Sequence, residues 1–304
     1  MPSWQGKSRG SRFGYGIFVS ILKTGGVLPA YFLLRFVAFY YFLFSYKSSR
    51  FIFDYFHRRL GYGRLKSLFK IYTNYYQLGQ TVIDKVVIMS GIHNRFSFDF
   101  DGEDHLRNIV SLQKGGLLLG AHIGNWEIAG HLLQRLETPI NIVMFDGEHQ
   151  QIKEYLDHVT GKRKAKIIVI KNDLSHIYEI SEALKNKELV CIHADRFLEG
   201  NKIVMSEFLG EKAPFPAGPF MLAASFNVPV SFVFAMKERT FHYHFFASAL
   251  KTYDNKEKKA GIQQMLDDFS AEMGRKLREF PEQWYNYYDF WQPVDFGKDK
   301  NLSI

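Results

Sequence analysis

The spacing of hydrophobic and polar positions along the chain changes near residue 96. Between residues 50 and 92 apolar side chains recur at spacings of three and four, which predicts helices, with a break at Gly61-Tyr62-Gly63. From Phe96 onward apolar and polar residues alternate, which predicts a strand with one buried face. We therefore predict an N-terminal helical region over residues 1–92 and a main domain over residues 93–304.

Helical and strand-like stretches alternate through the main domain. Helices are predicted near 103–113, 126–136, 148–160, 175–186 and 257–279, and strands at 116–121, 140–145, 166–171, 188–194, Val228–Ala235 and Phe241–Ala247. Strands separated by helices of this length imply right-handed crossovers and a sheet covered on both faces. The predicted fold class is α/β, with a mostly parallel central sheet flanked by helices.

The segment from Val27 to Ser45 is apolar except for one charged residue, Arg35, and its length approaches that needed to span a bilayer. Because Arg35 makes a clean span costly, we expect interfacial or re-entrant insertion, with a true span or a buried aromatic helix as alternatives. The first 75 residues carry twelve Lys and Arg against the single acid Asp54. A basic, aromatic-rich region fits an anionic membrane better than nucleic acid. We expect a membrane partner and no nucleic-acid partner.

Cysteine and histidine usage limits the possible chemistry. Cys191 is the only cysteine, so no intrachain disulfide can form and a secreted, disulfide-stapled design is excluded. His93, His105 and His131 are dispersed, and no pair of residues has HExxH or CxxC spacing. We therefore expect no metal and no bound cofactor.

The stretch from Gly115 to Glu127 contains the candidate catalytic residues. A buried apolar strand ends at Gly120-Ala121, and His122 follows on the loop where α/β sheets bind their ligands. Glu127 lies in the first turn of the next predicted helix, near enough to return its carboxylate towards the imidazole. A carboxylate that fixes one ring nitrogen leaves the other free to take a proton from a hydroxyl. The alternative is a capping glutamate beside a polar loop histidine without catalytic function.

Residues near this histidine are candidates for holding a substrate. Gly124 and Asn125 could stabilise an oxyanion, although capping of the following helix would also explain Asn125. Arg196 follows another predicted strand at the same sheet edge and could bind a phosphate or carboxylate, unless it pairs with Asp195 or another acid. The basic run around Arg163 is either a solvated surface or a contact for an acidic carrier protein.

Several of these stretches resemble a known family. His122, followed after four residues by Glu127 within AHIGNWE, resembles the H-x4-D/E signature of the lysophospholipid acyltransferase superfamily. The sequence between about residues 95 and 292 is similar to the late lauroyl/myristoyl acyltransferases of lipid A biosynthesis, in Phe98–Glu103, Asp195-Arg196, Glu207–Gly210, Ala213–Ala223 and Pro281–Tyr285. The opening Trp4–Gly10 resembles acyltransferases of aryl-polyene and flexirubin-type pigment pathways.

The resemblance implies a membrane-associated acyltransferase on the cytoplasmic face of the inner membrane. Its donor would be an acyl carrier protein or coenzyme A thioester, and its acceptor a hydroxyl or amine of a lipid A-like or other membrane lipid. It implies that His122 is the general base and that Glu127 is its orienting partner. From the sequence pattern we also expect Gly124 and Asn125 as oxyanion or positioning groups, and Asp195, Arg196, Arg163 and Gly218 as substrate-binding residues. A pigment-lipid acyltransferase, a lipid hydrolase using the same pair, and a non-catalytic lipid-binding protein are the alternatives.

Overall fold

The computed structural model describes residues 12–89, 94–128, 136, 138–145, 165–171, 173, 175–197, 200–253 and 257–292. Most of the predicted helix at 126–136 and all of the predicted helix at 148–160 lie outside these residues, as does Arg163. The boundary predicted between residues 92 and 93 also falls outside them and stays a prediction.

The N-terminal region is helical, as its spacing predicts. Its elements are α1 (Arg12–Gly25), α2 (Val27–Phe44), α3 (Tyr46–Asp54), a short π-helical turn (Tyr55–Arg59) and α4 (Arg64–Met89). The helices before and after Gly61–Gly63 confirm the predicted break, where Gly61 has a positive φ of 70°.

The rest of the described chain alternates between helices and strands. Its elements are β1 (Ser97–Asp101), α5 (Glu103–Ser111), β2 (Gly116–Gly120), β3 (Ile140–Phe145), β4 (Ala165–Ile170), α6 (Ser175–Lys185), β5 (Leu189–His193), β6 (Ile203–Phe208), β7 (Glu211–Pro216), α7 (Ala217–Phe226), β8 (Val230–Arg239), β9 (His242–Ala247) and α8 (Lys258–Glu279). The hairpin β6–β7 and helix α7 were not predicted.

The central sheet has seven strands in the order β1-β9-β8-β2-β5-β3-β4. The five strands from β8 to β4 run parallel, whereas β9 is antiparallel to β8 and parallel to β1. The predicted mostly parallel sheet flanked by helices is therefore confirmed. Every residue of β2 is buried because both faces of the sheet are covered there, with Leu117 and Leu119 in one buried cluster and Leu118 in another, which explains its uninterrupted apolar sequence GLLLG.

The N-terminal helices and the sheet share one hydrophobic core. Phe56 and Ile71 of the helical region belong to the same buried cluster as Leu117 of β2, Val190 of β5 and Phe232 of β8. Helix α4 contributes to this core through its recurring apolar side chains, which lie on the face of the helix that packs towards the sheet. The N-terminal helices therefore pack against the main domain and contribute to its hydrophobic core.

Helix α2 carries an apolar face that the described chain leaves uncovered. Its 18 residues have a mean hydropathy of 1.7, and 28% of them are buried. By length and composition it is the one helix of the described chain that could cross a bilayer. Its exposed large apolar side chains are Leu28, Phe32, Phe36, Phe39, Tyr40, Leu43 and Phe44. A contiguous aromatic patch of this kind is typical of a surface that meets a lipid or protein partner.

Candidate active site

The pairing register of β2 and β5 brings His122 beside Asp195. Gly120 lies opposite His193 in these parallel strands, and the N–H of Ala194 donates to the carbonyl of Gly120 at 2.9 Å. Two residues after the ends of these strands, Nδ1 of His122 is 2.8 Å from Oδ1 of Asp195. The backbone N–H of His122 donates to Oδ2 at 3.0 Å. The two carboxylate oxygens therefore fix both the backbone and the ring of the histidine.

The charge of Asp195 determines which ring nitrogen is left for chemistry. Burial alone would raise the pKa of Asp195, but the charge and hydrogen bond of His122, together with Arg196, hold that pKa well below its ordinary value. An ionised carboxylate accepts a hydrogen bond from Nδ1–H, so the neutral imidazole has its lone pair on Nε2. The arrangement is that of a histidine base with an orienting acid.

Two aromatic rings that the sequence reasoning missed surround His122. The ring centroid of His193 lies 4.4 Å from that of His122 and 4.4 Å from that of Trp126. Burial and the neighbouring His122 lower the pKa of His193 well below its ordinary value, so this second imidazole is neutral. The position of His193 as the last residue of β5, two residues before Asp195, is a sequence signal that could have identified it.

Glu127 has a different partner from the one predicted. Its Oε1 lies 2.6 Å from Nζ of Lys85 on α4, and the carboxylate on Nδ1 of His122 is that of Asp195. The reason is geometric: the strand register extends to place Asp195 opposite His122, whereas Glu127 belongs to the helical turn that starts at Trp126 and contacts α4. Asp195 therefore takes the orienting place that we predicted for Glu127.

The predicted oxyanion donors, Gly124 and Asn125, are directed at protein acceptors. The N–H groups of Gly124 and Asn125 donate to the carbonyls of Gln283 and Ala235, each at 2.8 Å. The side-chain amide of Asn125 donates to the carbonyl of Thr81 at 3.3 Å. Gly124 has a φ of 62°, and a Cβ there would lie 2.0 Å from the Ala235 oxygen, so only glycine fits. The structure thus gives both residues a role in positioning the loop, in place of oxyanion binding.

A buried polar network holds the loop that carries His122, through the side chain of Asn125. The Asn125 amide also donates to the hydroxyl of Tyr243 at 3.2 Å, and that hydroxyl donates to Asp84 at 2.5 Å. Lys237 places Nζ 2.6 Å from Asp84, and the hydroxyl of Tyr31 donates to the same carboxylate. Burial raises the pKa of Asp84 and lowers that of Lys237, and each partner offsets part of this effect. The network connects α2, α4, β8 and β9 to the loop that carries His122.

The remaining predicted substrate residues are Arg196, Gly218 and Arg163. Arg196 follows Asp195 and donates from Nη2 to the carbonyl of Tyr285 at 3.0 Å. Gly218 is exposed in the first turn of α7, and Arg163 lies outside the described residues. Their substrate contacts stay predictions. Among the residues that the structure describes, no group of three His, Cys, Asp or Glu side chains could hold a metal ion.

Comparison with known proteins shows the family of the chain. The family model for bacterial lipid A biosynthesis acyltransferases matches residues 71–291. Two curated relatives are phosphatidylinositol mannoside acyltransferases of Mycobacterium tuberculosis, from strains ATCC 25618 / H37Rv and CDC 1551 / Oshkosh. They are 28% and 27% identical over 123 residues, which cover 40% of this chain and 39% of each relative. The chain thus spans about two fifths of the length of these relatives.

The search of solved structures found a similar chain. It is the crystal structure of the 1-acyl-sn-glycerophosphate (LPA) acyltransferase, PlsC, from Thermotoga maritima, with 12% sequence identity and a TM-score of 0.37. The match covers 80% of this chain and 97% of that one.

Proposed function

Because the chain belongs to the bacterial lipid A biosynthesis acyltransferase family, we propose that it transfers a fatty acyl chain from a thioester to a hydroxyl or amine of a membrane lipid or glycolipid. The observation that supports this reaction most directly is the contact between His122 and Asp195 at the carboxyl end of the central strands. The contact provides an oriented base without requiring a serine or cysteine nucleophile.

The proposed reaction proceeds in one transfer. Nε2 of His122 takes the proton of the acceptor hydroxyl or amine while that atom attacks the thioester carbonyl. The carbon–sulfur bond then breaks, and the leaving thiolate takes the proton back from the imidazolium, so that an ester or amide and a free thiol are formed. Asp195 stabilises the imidazolium between these steps because its carboxylate is buried, ionised and hydrogen-bonded to Nδ1.

The donor and the acceptor are proposed from chemistry and similarity. Acyl carrier protein or coenzyme A supplies the thioester, and the basic run around Arg163 suits docking of an acidic carrier. The curated relatives act, by their names, on phosphatidylinositol mannosides, which favours a glycolipid acceptor for this chain too. The guanidinium of Arg196, next to Asp195 at the same sheet edge, is proposed to contact an anionic group of one substrate.

The proposed location is the cytoplasmic face of the inner membrane. The uncovered aromatic face of α2 and the excess of twelve bases over one acid in the first 75 residues support binding to an anionic bilayer. Acyl thioesters are made in the cytoplasm, so a donor site on that face gives access to both substrates.

Cellular lipid profiles test the proposed function. Mass spectra of lipids from cells without the gene should lack a species that is heavier by one acyl chain than a lipid that accumulates in its place. The wild-type gene should restore that species, and a His122→Ala gene should not, since the oriented base is absent. Identical lipid profiles with and without the gene would contradict the proposal, and gain or loss of free fatty acid alone would favour a hydrolase.

The ion pair between Glu127 and Lys85 predicts a modest effect on turnover. Glu127→Gln and Lys85→Met should each lower kcat by about tenfold or less, because a partly exposed ion pair contributes roughly 1 kcal/mol. The double variant should be no slower than either single variant, since both remove the same contact. The measurement is the initial rate of thiol release in the presence of acceptor lipid.

The pH dependence of kcat/KM in the same variants distinguishes a supporting role of Glu127 from a direct role in catalysis. If Glu127 acted on His122 itself, Glu127→Gln would move the pH dependence of kcat/KM while Lys85→Met would leave it unchanged. We expect both variants to keep the wild-type profile.

A further inference from the structure

A cavity that includes neither His122 nor Asp195 opens beside the uncovered face of α2. It has a volume of about 670 Å³ and lies between α2, α4 and the turn from β8 to β9. Arg35 lines one wall, Gln77 and Gln80 of α4 line another, and Arg239 stands at the end of β8. A cavity of this size can hold a lipid headgroup.

The charged side chains that line the cavity together attract an anion. Lys237 is already paired with Asp84 at 2.6 Å, and Glu238 is held by His244 at 2.8 Å. Arg35 and Arg239 form no ion pair with any carboxylate of the described chain. Two guanidinium groups that face one cavity can bind a phosphate through paired hydrogen bonds.

A buried side-chain amide in the cavity wall favours a ligand that carries a hydroxyl group as well as a negative charge. Oε1 of Gln77 is buried and has no hydrogen-bond partner in the described part of the molecule. A buried carbonyl oxygen without a donor is costly. Gln77 lines the cavity, and rotation of its side chain would bring this inaccessible oxygen to a ligand hydroxyl that supplies the donor, so the cavity suits a phosphate that carries a hydroxylated group.

The apolar rim of the cavity favours a lipid as its ligand. Leu28 and Phe32 of α2 line the cavity and are about 60% exposed, at the start of the aromatic face that continues along the helix. An acyl chain could lie against these side chains while the headgroup enters the cavity. The position of Arg35, the only charge in α2, then has a physical explanation, because its guanidinium reaches a polar cavity beside the bilayer.

We propose that this cavity binds an anionic membrane phospholipid, with its phosphodiester between Arg35 and Arg239 and a headgroup hydroxyl on Gln77. Phosphatidylglycerol has this chemistry. The site would hold the N-terminal helices in a fixed orientation at the membrane surface. It is separate from the acyl-transfer chemistry and does not depend on it.

Vesicle flotation of the full-length protein, without any acyl donor, tests the proposal. The protein is mixed with phosphatidylcholine vesicles or with the same vesicles containing a minor fraction of phosphatidylglycerol. Arg35→Lys and Arg239→Lys keep the charge but remove the paired hydrogen bonds, so each should weaken phosphatidylglycerol-dependent binding by roughly tenfold. Gln77→Leu should weaken it as well, although the net charge is unchanged.

Arg50→Lys is the matched control, since Arg50 is exposed on α3 and outside the cavity. Diffuse attraction depends on charge alone and predicts no effect of any Arg→Lys change. Wild-type binding by both Arg35→Lys and Arg239→Lys would therefore overturn the proposal. Equal binding of all variants to pure phosphatidylcholine should show that each remains folded.

Discussion

His122→Ala should lower acyl transfer by at least about a hundredfold, because an oriented general base contributes roughly two to four orders of magnitude to a rate. No neighbouring group of the described site can replace it. His193 is adjacent, but burial and the nearby His122 lower its pKa, and its ring packs against Trp126. Asp195 accepts its hydrogen bonds from His122 itself. The measurement is kcat for thiol release with a saturating lipid acceptor.

His105→Ala is a suitable control for this variant. His105 lies on α5 and is half-buried, so its loss removes an imidazole without touching the loop after β2. We expect wild-type turnover from His105→Ala, and unchanged circular dichroism from both variants. Near-normal turnover by a folded His122→Ala protein would exclude the general-base mechanism.

Asp195→Asn should lower kcat by about a hundredfold or more, although it only replaces one carboxylate oxygen with an amino group. Both carboxylate oxygens of Asp195 accept hydrogen bonds, one from Nδ1 of His122 and one from its backbone N–H. An asparagine has one acceptor and one donor, so its amino group must face one of these two N–H donors. If the amino group faces Nδ1, the ring adopts the other tautomer and Nε2 carries the proton, which removes the base.

The kinetic pattern of Asp195→Asn distinguishes an orienting residue from a structural one. KM for both substrates should stay near the wild-type value, since Asp195 acts through His122 and does not hold the substrate. Asp104→Asn is the matched control, because Asp104 is exposed on α5 and its substitution should leave kcat unchanged. A large rise in KM with unchanged kcat would instead assign Asp195 to substrate binding, as the sequence alone suggested.

The position of the site could be predicted from local sequence. The apolar run of β2 indicates a strand that is buried on both faces, and a parallel sheet places the carboxyl ends of its strands at one edge. His122 and Asp195 were therefore both placed at that edge from sequence. The same reasoning identified α2 and Arg35 as unusual, because one charge interrupts an otherwise apolar helix.

The partners within the site could not be predicted, because they depend on contacts between distant segments. Glu127 is five positions from His122 in the chain, but the strand register selects Asp195, 73 positions away. The choice follows from the pairing of β2 with β5, which no local spacing reveals. Lys85, the partner of Glu127, comes from α4 and depends on how the helical region packs against the sheet.

The buried network was equally hidden in the sequence. Asp84 and Lys237 are 153 positions apart, and each would be expected on the surface from its residue type. Their pairing becomes visible only once α4 packs against β8. The network links α2, through Tyr31, to the loop that carries His122.

The fate of a labelled acyl chain tests the central claim most directly. Purified wild-type protein is incubated with an acyl thioester labelled in the chain and with detergent-dispersed membrane lipid, and both thiol release and labelled products are measured. We predict that thiol release requires the lipid, that one labelled lipid forms for each thiol released, and that His122→Ala yields neither product. Thiol release that is independent of the lipid, with the label recovered as free fatty acid, would contradict acyl transfer and identify the protein as a hydrolase.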